Sequence, residues 1–342
     1  MNQNNTELKP MRIGDVADYS IEIFKRNFKV LFFLSLILYV PWIIIDSLVD
    51  SYVITNTFGL FEDLFSSFEN YNHFDYYGDF GNYQSTAISN LFTLLNICYS
   101  LSIKVVFQAA VMKIVYDYMT KGRTISFSYK NTFKLIRYCF KYMWRMAGYT
   151  AIFYIILFAL YFVSLFVGAI IFVFLLGIAF TTAQEWIMTV FIVLFALVVI
   201  LGMIILVGFF WVRLIFGNNI IVNENSSFSN GIKRAFQLSK GSFWHIGISS
   251  LFCYIIYSLI GGMVTGISVV AIGINNILFY TLYSFGQVLN AVLYPFVVVF
   301  ITVLFIDAKV KKEAFDLELK LNKMIEKQKS ELKKEIGEEK DD

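Results

Sequence analysis

Charge is scarce in this sequence: Asp, Glu, Lys and Arg together make up 15% of its 342 residues, against 58% apolar residues. A soluble domain of similar length carries about one quarter charged residues, so there is too little polar surface here to face water all round. Lysine and arginine are missing altogether between Lys29 and Lys104. Cysteine occurs three times, at Cys98, Cys139 and Cys253, each in or beside an apolar segment. An odd number without framework spacing argues against both a disulfide scaffold and a zinc site. Histidine occurs twice, as His73 and His245. The first apolar run, from Val30, has no small-residue cleavage site after it and is expected to stay as a membrane span rather than leave as a signal peptide.

What the chain has instead is a series of long uncharged stretches, each sufficient to cross the roughly 30 Å hydrocarbon layer as a helix of about 20 residues. They predict an all-α polytopic membrane protein with six spans, near 30–48, 87–118, 147–178, 187–216, 245–273 and 277–307. Three regions follow: a cytoplasmic amphipathic segment over 1–29, a membrane domain over 30–308 and a charged helical tail over 309–342. The loop over 49–86 holds Asp50, Glu62, Asp63, Glu69, Asp75 and Asp79 and no basic residue. The connection after the second span holds Lys121, Arg123, Lys130, Lys134, Arg137, Lys141 and Arg145, and the one after the fourth Arg213, Lys233, Arg234 and Lys240. The short links at Glu185 and Asn275 are nearly uncharged. Basic loops stay on the cytoplasmic side, so the reading is a cell-membrane protein with both termini in the cytoplasm.

The segments RIGDVADYSIEIFKRNFKVLFF, TISFSYKNTFKLIRYCFKYMWR and SSFSNGIKRAFQLSKGSFWHIG each precede a span and recur about every hundred residues. The chain therefore reads as three units, each an interfacial amphipathic helix followed by a hairpin of two spans. Ile13, Val16, Ala17, Ile21 and Phe24 share one helical face, as do Phe133, Ile136, Phe140 and Met143. Phe228, Ile232, Phe236 and Leu238 are the third such set, with Ser226 or Ser229 as the expected N-cap. Lys130, Lys134, Arg137 and Lys141, with Lys233 and Arg234, are the candidate contacts to anionic lipid. Phe58, Phe61, Phe65 and Phe68 are helically spaced in the outer loop, whose Asp75 and Asp79 lack the spacing of a calcium loop.

Polar side chains inside spans are the candidate functional groups, because an ionisable residue in hydrocarbon costs several kcal/mol unless hydrated or paired. Asn96, Ser100, Lys104 and Gln108 recur every four residues in the second span, at a depth read as mid-bilayer with no acidic residue level with the lysine. Tyr283, Gln287, Asn290 and Tyr294 form a second stripe in the sixth span that can face the first. Lys113 and Asp117 are spaced for a local ion pair. Gly261, Gly262 and Gly266 permit close helix approach, and Pro295 is expected to bend the sixth span. Val310, Ala314, Leu317, Leu321 and Met324 give the tail an apolar edge that can meet a partner protein.

Two segments, WVRLIFGNNIIVNENSSFSNGIKRAFQLSKGSFWHIG and VLFIDAKVKKEAFDLELKL, resemble the membrane domain found in some bacterial glycerophosphoryl diester phosphodiesterases and in stand-alone bacterial membrane proteins. The resemblance is carried by Arg213, by Glu224 and Asn225, by Lys240 to Trp244, and by Asp307, Lys311, Lys312 and Glu313 to Leu317. It implies the fold, loosely from Arg12 to Leu319. The phosphodiesterase itself needs paired histidines and several carboxylates around metal, which these residues do not supply, so no catalytic role, cofactor or metal is expected. The expected function is non-enzymatic: binding, organising or moving lipid or another hydrophobic or anionic solute, with membrane lipids as partners and no nucleic acid. The alternative is a scaffold that anchors or regulates a separately encoded enzyme or transporter.

Overall fold

The structure, a computed structural model, describes residues 9–69, 80–122, 128–182, 185–271, 274–314, Leu317 and Leu321. His73, Asp75, Asp79, Arg123, Met324 and most of the tail lie outside the described residues. Every regular element among the described residues is helical: α1 (Ile13–Arg26), α2 (Phe28–Leu38), α3 (Val40–Glu69), α4 (Phe80–Leu101), α5 (Ile103–Lys121), α6 (Tyr129–Cys139), α7 (Met143–Thr182), α8 (Glu185–Leu214), α9 (Gly217–Asn223), α10 (Phe228–Ser239), α11 (Phe243–Val270) and α12 (Asn276–Glu313). Five of these stretches are long and apolar enough to cross a membrane, and six if the bent pair α2 and α3 is one span. The chain is a multi-pass α-helical membrane protein. Three short amphipathic helices, α1, α6 and α10, each precede a hairpin of long helices.

Two spans are broken, and local chemistry explains both. Pro41 has no N–H to give to the carbonyl four residues back and disfavours helical backbone at the residue before it, and the chain bends by 53° where α2 passes into α3 at Tyr39. Between α4 and α5, Ser102 leaves helical geometry (φ −117°, ψ −86°), and its hydroxyl donates to the Cys98 carbonyl at 2.7 Å. Tyr99 ties the breaks together, its hydroxyl donating to the Leu38 carbonyl at 2.8 Å. Inside a bilayer such irregular backbone persists only where protein or polar groups satisfy it. Pro295, by contrast, sits within the unbroken α12.

The chain divides into two compact units, one of residues 1–143 with 248–342 and one of residues 144–247. In the first, α12 is the central helix, packed against α1, α2, α3 and α5. Its half from Val297 to Val310 is almost wholly buried. Asp307, fully buried there, accepts from the Met11 backbone N–H at 2.7 Å and from Lys311 Nζ at 2.7 Å, while Lys311 Nζ also donates to the Met11 carbonyl at 2.6 Å. The start of the chain is thus clasped to the end of its last span. Of the three glycines expected to admit close packing, only Gly261 does so: a Cβ there would collide with the Asn290 carboxamide, whereas Gly262 and Gly266 face open space.

In the second unit the residues of the first resemblance motif form a similar clasp. The Arg213 guanidinium lies over the Phe209 and Phe243 rings, at 5.3 and 5.7 Å. Asn225 takes up left-handed backbone (φ 52°), a conformation asparagine tolerates, and accepts from Arg145 at 3.0 Å. Glu224 pairs with Arg234 at 3.1 Å. The N-cap of α10 is Ser227, accepting from the Asn230 N–H, in place of the Ser226 or Ser229 expected.

The outer loop expected over 49–86 is largely helix, α3 running on to Glu69 and α4 beginning at Phe80. The physical reason is that a span end is set by hydrophobicity, whereas a helix continues past it as long as its backbone bonds are made.

Candidate functional site

The two broken spans meet α12 in a column of aromatic rings. Trp42 stacks on Tyr99 (centroids 4.9 Å apart), Tyr99 on Tyr39 (6.3 Å) and Tyr39 on Phe107 (5.7 Å). Tyr294 of α12 packs beside Tyr39 at 5.2 Å and beside Phe107 at 6.1 Å. Tyr39 and Tyr99 are buried, and with Val40 and Ala291 they form the local hydrophobic core. Lys104 enters this column with its ammonium 5.6 Å from the Tyr39 centroid and 5.2 Å from that of Tyr294. Cations over ring faces are attracted by the ring quadrupole, by up to about 2 kcal/mol when desolvated.

Of the first stripe, three members join the site and one does not. Gln108 Nε2 donates to the Tyr294 hydroxyl at 2.6 Å. Asn96 accepts from the Trp42 indole N–H at 3.2 Å and donates to Asp46 at 3.3 Å. Ser100 turns its hydroxyl back to the Ile97 carbonyl, a local bond within α4. The regular four-residue stripe is interrupted because Ser102 breaks the helix between Ser100 and Lys104. From the second stripe Tyr294 faces Lys104, and Tyr257 of α11 donates to the Asn290 carbonyl at 3.3 Å. Tyr283 lies one turn before Gln287 on α12, and its ring packs on Phe279 at 5.6 Å.

One expectation about Lys104 is corrected: an acidic side chain belongs to the same cluster, since Asp46 on α3 accepts from Asn96, and Asp50 lies one turn further along.

Along α6 and the 3-10 turn that follows it (Phe140–Tyr142), the basic residues Lys130, Lys134, Arg137 and Lys141 are all exposed. The face packed on protein is Thr132, Ile136 and Cys139. Of the expected apolar face, Ile136 is buried on protein, whereas Phe133 and Phe140 are 55% and 46% exposed and lie with Tyr129 beside the basic row. The helix therefore shows three sectors, one packed, one aromatic and one basic. Lys141 also donates to the Tyr138 hydroxyl at 2.8 Å. On α10, Lys233 is exposed, while Arg234 is committed to Glu224 and is a clasp residue rather than a free lipid contact. Lys113 and Asp117 do pair, at 3.8 Å, and Asp117 also holds Lys121 at 3.0 Å.

Sequence reasoning missed Asp46, Asp50, Tyr39, Trp42, Tyr99 and Tyr257. Pro41 was the available signal, since a proline inside a span marks a break where side chains can converge. No family model, curated protein or solved structure matches the chain.

Proposed function

We propose that this is a non-enzymatic membrane protein that binds, organises or moves a lipid or another hydrophobic or anionic solute at Lys104. The observation that carries the reading is a lysine ammonium set over the rings of Tyr39 and Tyr294, in a cluster with Asp46 and Asn96, where the span of α2 and α3 bends by 53° and Ser102 leaves helical geometry between α4 and α5. Discontinuous spans are where membrane transporters place substrate sites, because the break frees backbone and side-chain polarity inside the bilayer. Ionisable groups held at such cost inside a membrane are functional by default. The basic row of α6 supports a cytoplasmic placement of α1, α6 and α10 on the anionic leaflet, with both termini on that side of the cell membrane. The two clasp segments suggest kinship with the membrane domain of glycerophosphoryl diester phosphodiesterases.

The test is purification of the parent and of Lys104→Met and Lys104→Arg from native membranes, with co-purifying lipids and solutes identified by mass spectrometry. The methionine variant should fold, insert and lose the ligand, and the arginine variant should keep part of it. Unchanged ligand content in a well-folded methionine variant would reduce Lys104 to a structural cation, held by its aromatic neighbours.

A further inference from the structure

Between Asp117 and Glu185 the sequence has no acidic residue, and α6 with its 3-10 turn lies within that stretch. Its cations therefore have no local counter-charge. Among the described residues none of Lys130, Lys134, Arg137 and Lys141 pairs with a carboxylate within 4.0 Å. Basic residues elsewhere are committed, Lys121 to Asp117, Arg234 to Glu224 and Lys311 to Asp307. The four on α6 and its turn follow one another at spacings of four, three and four, which keeps them on one stripe of the helix. From first to last the stripe runs about 16 Å along the axis at 1.5 Å per residue.

One end of the stripe is fixed. Lys141 Nζ donates to the Tyr138 hydroxyl at 2.8 Å and lies over the Tyr138 and Tyr142 rings, at 4.0 and 4.7 Å. Tyr142 is buried, and its hydroxyl is 3.3 Å from that of Tyr138, so the ammonium is tied to packed protein. An ammonium has three N–H donors, so this arrangement positions the charge without exhausting it. Neighbours on a helix face stand about 5 to 6 Å apart, close enough for two cations to share one phosphate. The stripe therefore offers two consecutive pairs, Lys130 with Lys134 and Arg137 with Lys141. Two phosphates on a short linker can fill both, because once the first is seated the second contact is intramolecular.

Resting on the reading of α6 as a helix on the anionic leaflet, we propose that the stripe seats a lipid with two phosphodiesters in one headgroup, of the cardiolipin class. One phosphate lies at Arg137 and Lys141, the other at Lys130 and Lys134, and the acyl chains run beside the exposed Tyr129, Phe133 and Phe140. Single-phosphate lipids such as phosphatidylglycerol meet the same charges but gain nothing from the tether.

The experiment uses the full chain in phosphatidylcholine nanodiscs doped with cardiolipin, or with twice as much phosphatidylglycerol so that phosphate content is equal. Retained lipid is read by native mass spectrometry. Cardiolipin should be retained about tenfold over phosphatidylglycerol, a modest part of what tethering allows. Combining Lys134→Gln with Arg137→Gln, one from each pair, should bring cardiolipin down to the phosphatidylglycerol level. Tyr138→Phe keeps every charge and releases Lys141, so it should lower cardiolipin retention and leave phosphatidylglycerol unchanged; cardiolipin unmoved by it overturns the seat at Lys141. Equal retention of the two lipids by the parent overturns the two-phosphate proposal and leaves α6 as a helix that reads surface charge alone. Retention of neither above phosphatidylcholine removes the leaflet reading of α6 as well. Should the variants not fold, the parent decides with dilysocardiolipin, which keeps both phosphates on two acyl chains. Retention above phosphatidylglycerol supports the proposal, and retention equal to it assigns the preference to the extra chains and overturns the seat. Free pyrophosphate should leave the bound lipid in place; displacement by it overturns the lipid assignment.

Discussion

At the scale of single residues, the best-defined interactions are those where a charge or a small side chain has no room for exchange. Asp307 is fully buried and held by Met11 and Lys311. Removing one partner of a buried pair leaves an uncompensated charge and costs about 3 to 5 kcal/mol. Lys311→Met, which leaves the fully buried carboxylate with only the Met11 N–H, should therefore melt well below the parent in detergent, with Asp307→Ala milder because the Lys311 left behind is partly exposed. The double variant should fall short of the sum of the two losses. A second residue-scale prediction separates three neighbouring glycines. Gly261→Ala drives a methyl group into the Asn290 carboxamide, which must turn aside, and should be the least stable of the three by up to about 1 kcal/mol. Gly262→Ala and Gly266→Ala meet nothing within 4 Å, and should be neutral or slightly stabilising because alanine favours helix by up to about 1 kcal/mol. Thermal unfolding of the three variants side by side checks this ordering.

At the scale of elements, the three sectors of α6 fit a helix proposed to lie on the membrane surface. Thr132, Ile136 and Cys139 pack on protein, Tyr129, Phe133 and Phe140 are exposed aromatics, and four basic residues project beside them. Each basic residue near an anionic leaflet contributes about 1 kcal/mol, within a Debye length of the surface. A peptide of residues 128–145 should bind vesicles containing anionic lipid in a salt-sensitive manner. Replacing Lys130, Lys134, Arg137 and Lys141 by glutamine should weaken that binding by two orders of magnitude or more, measured by vesicle co-sedimentation. Binding indifferent to salt and to these changes would leave α6 as a joint between spans. The same experiment on α10 should show a smaller effect, since Arg234 is already paired with Glu224.

At the scale of the whole molecule, the claim to test is sidedness. In a background with Cys98, Cys139 and Cys253 replaced by serine or alanine, cysteines at Ser67 and Gln84 should react with an impermeant thiol reagent in intact cells. Cysteines at Ser128, Ser229 and Ser330 should react only after lysis. Labelling of the second set before lysis inverts the orientation, and with it the leaflet from which a headgroup would reach Lys104.

Hydrophobic length and the spacing of charge determined from the sequence alone that the chain is helical and multi-pass, with three short amphipathic helices each followed by long apolar ones. Both signals are local, one a property of about 20 consecutive residues and the other a count along loops. The ion pair at Lys113 and Asp117 was legible for the same reason. So were the two polar stripes, though not where they lead: helical periodicity presumes an unbroken helix, and Ser102 interrupts it. Tertiary structure alone decided that Lys104 lies over Tyr39 and Tyr294, that Asp46 joins Asn96, that Gly261 rather than Gly262 or Gly266 makes a close contact, and that Arg234 turns to Glu224. Each of these depends on which residue of a distant helix stands at the same height and faces inward. That is fixed by packing and by two local breaks in the backbone, and no periodicity within one span contains it.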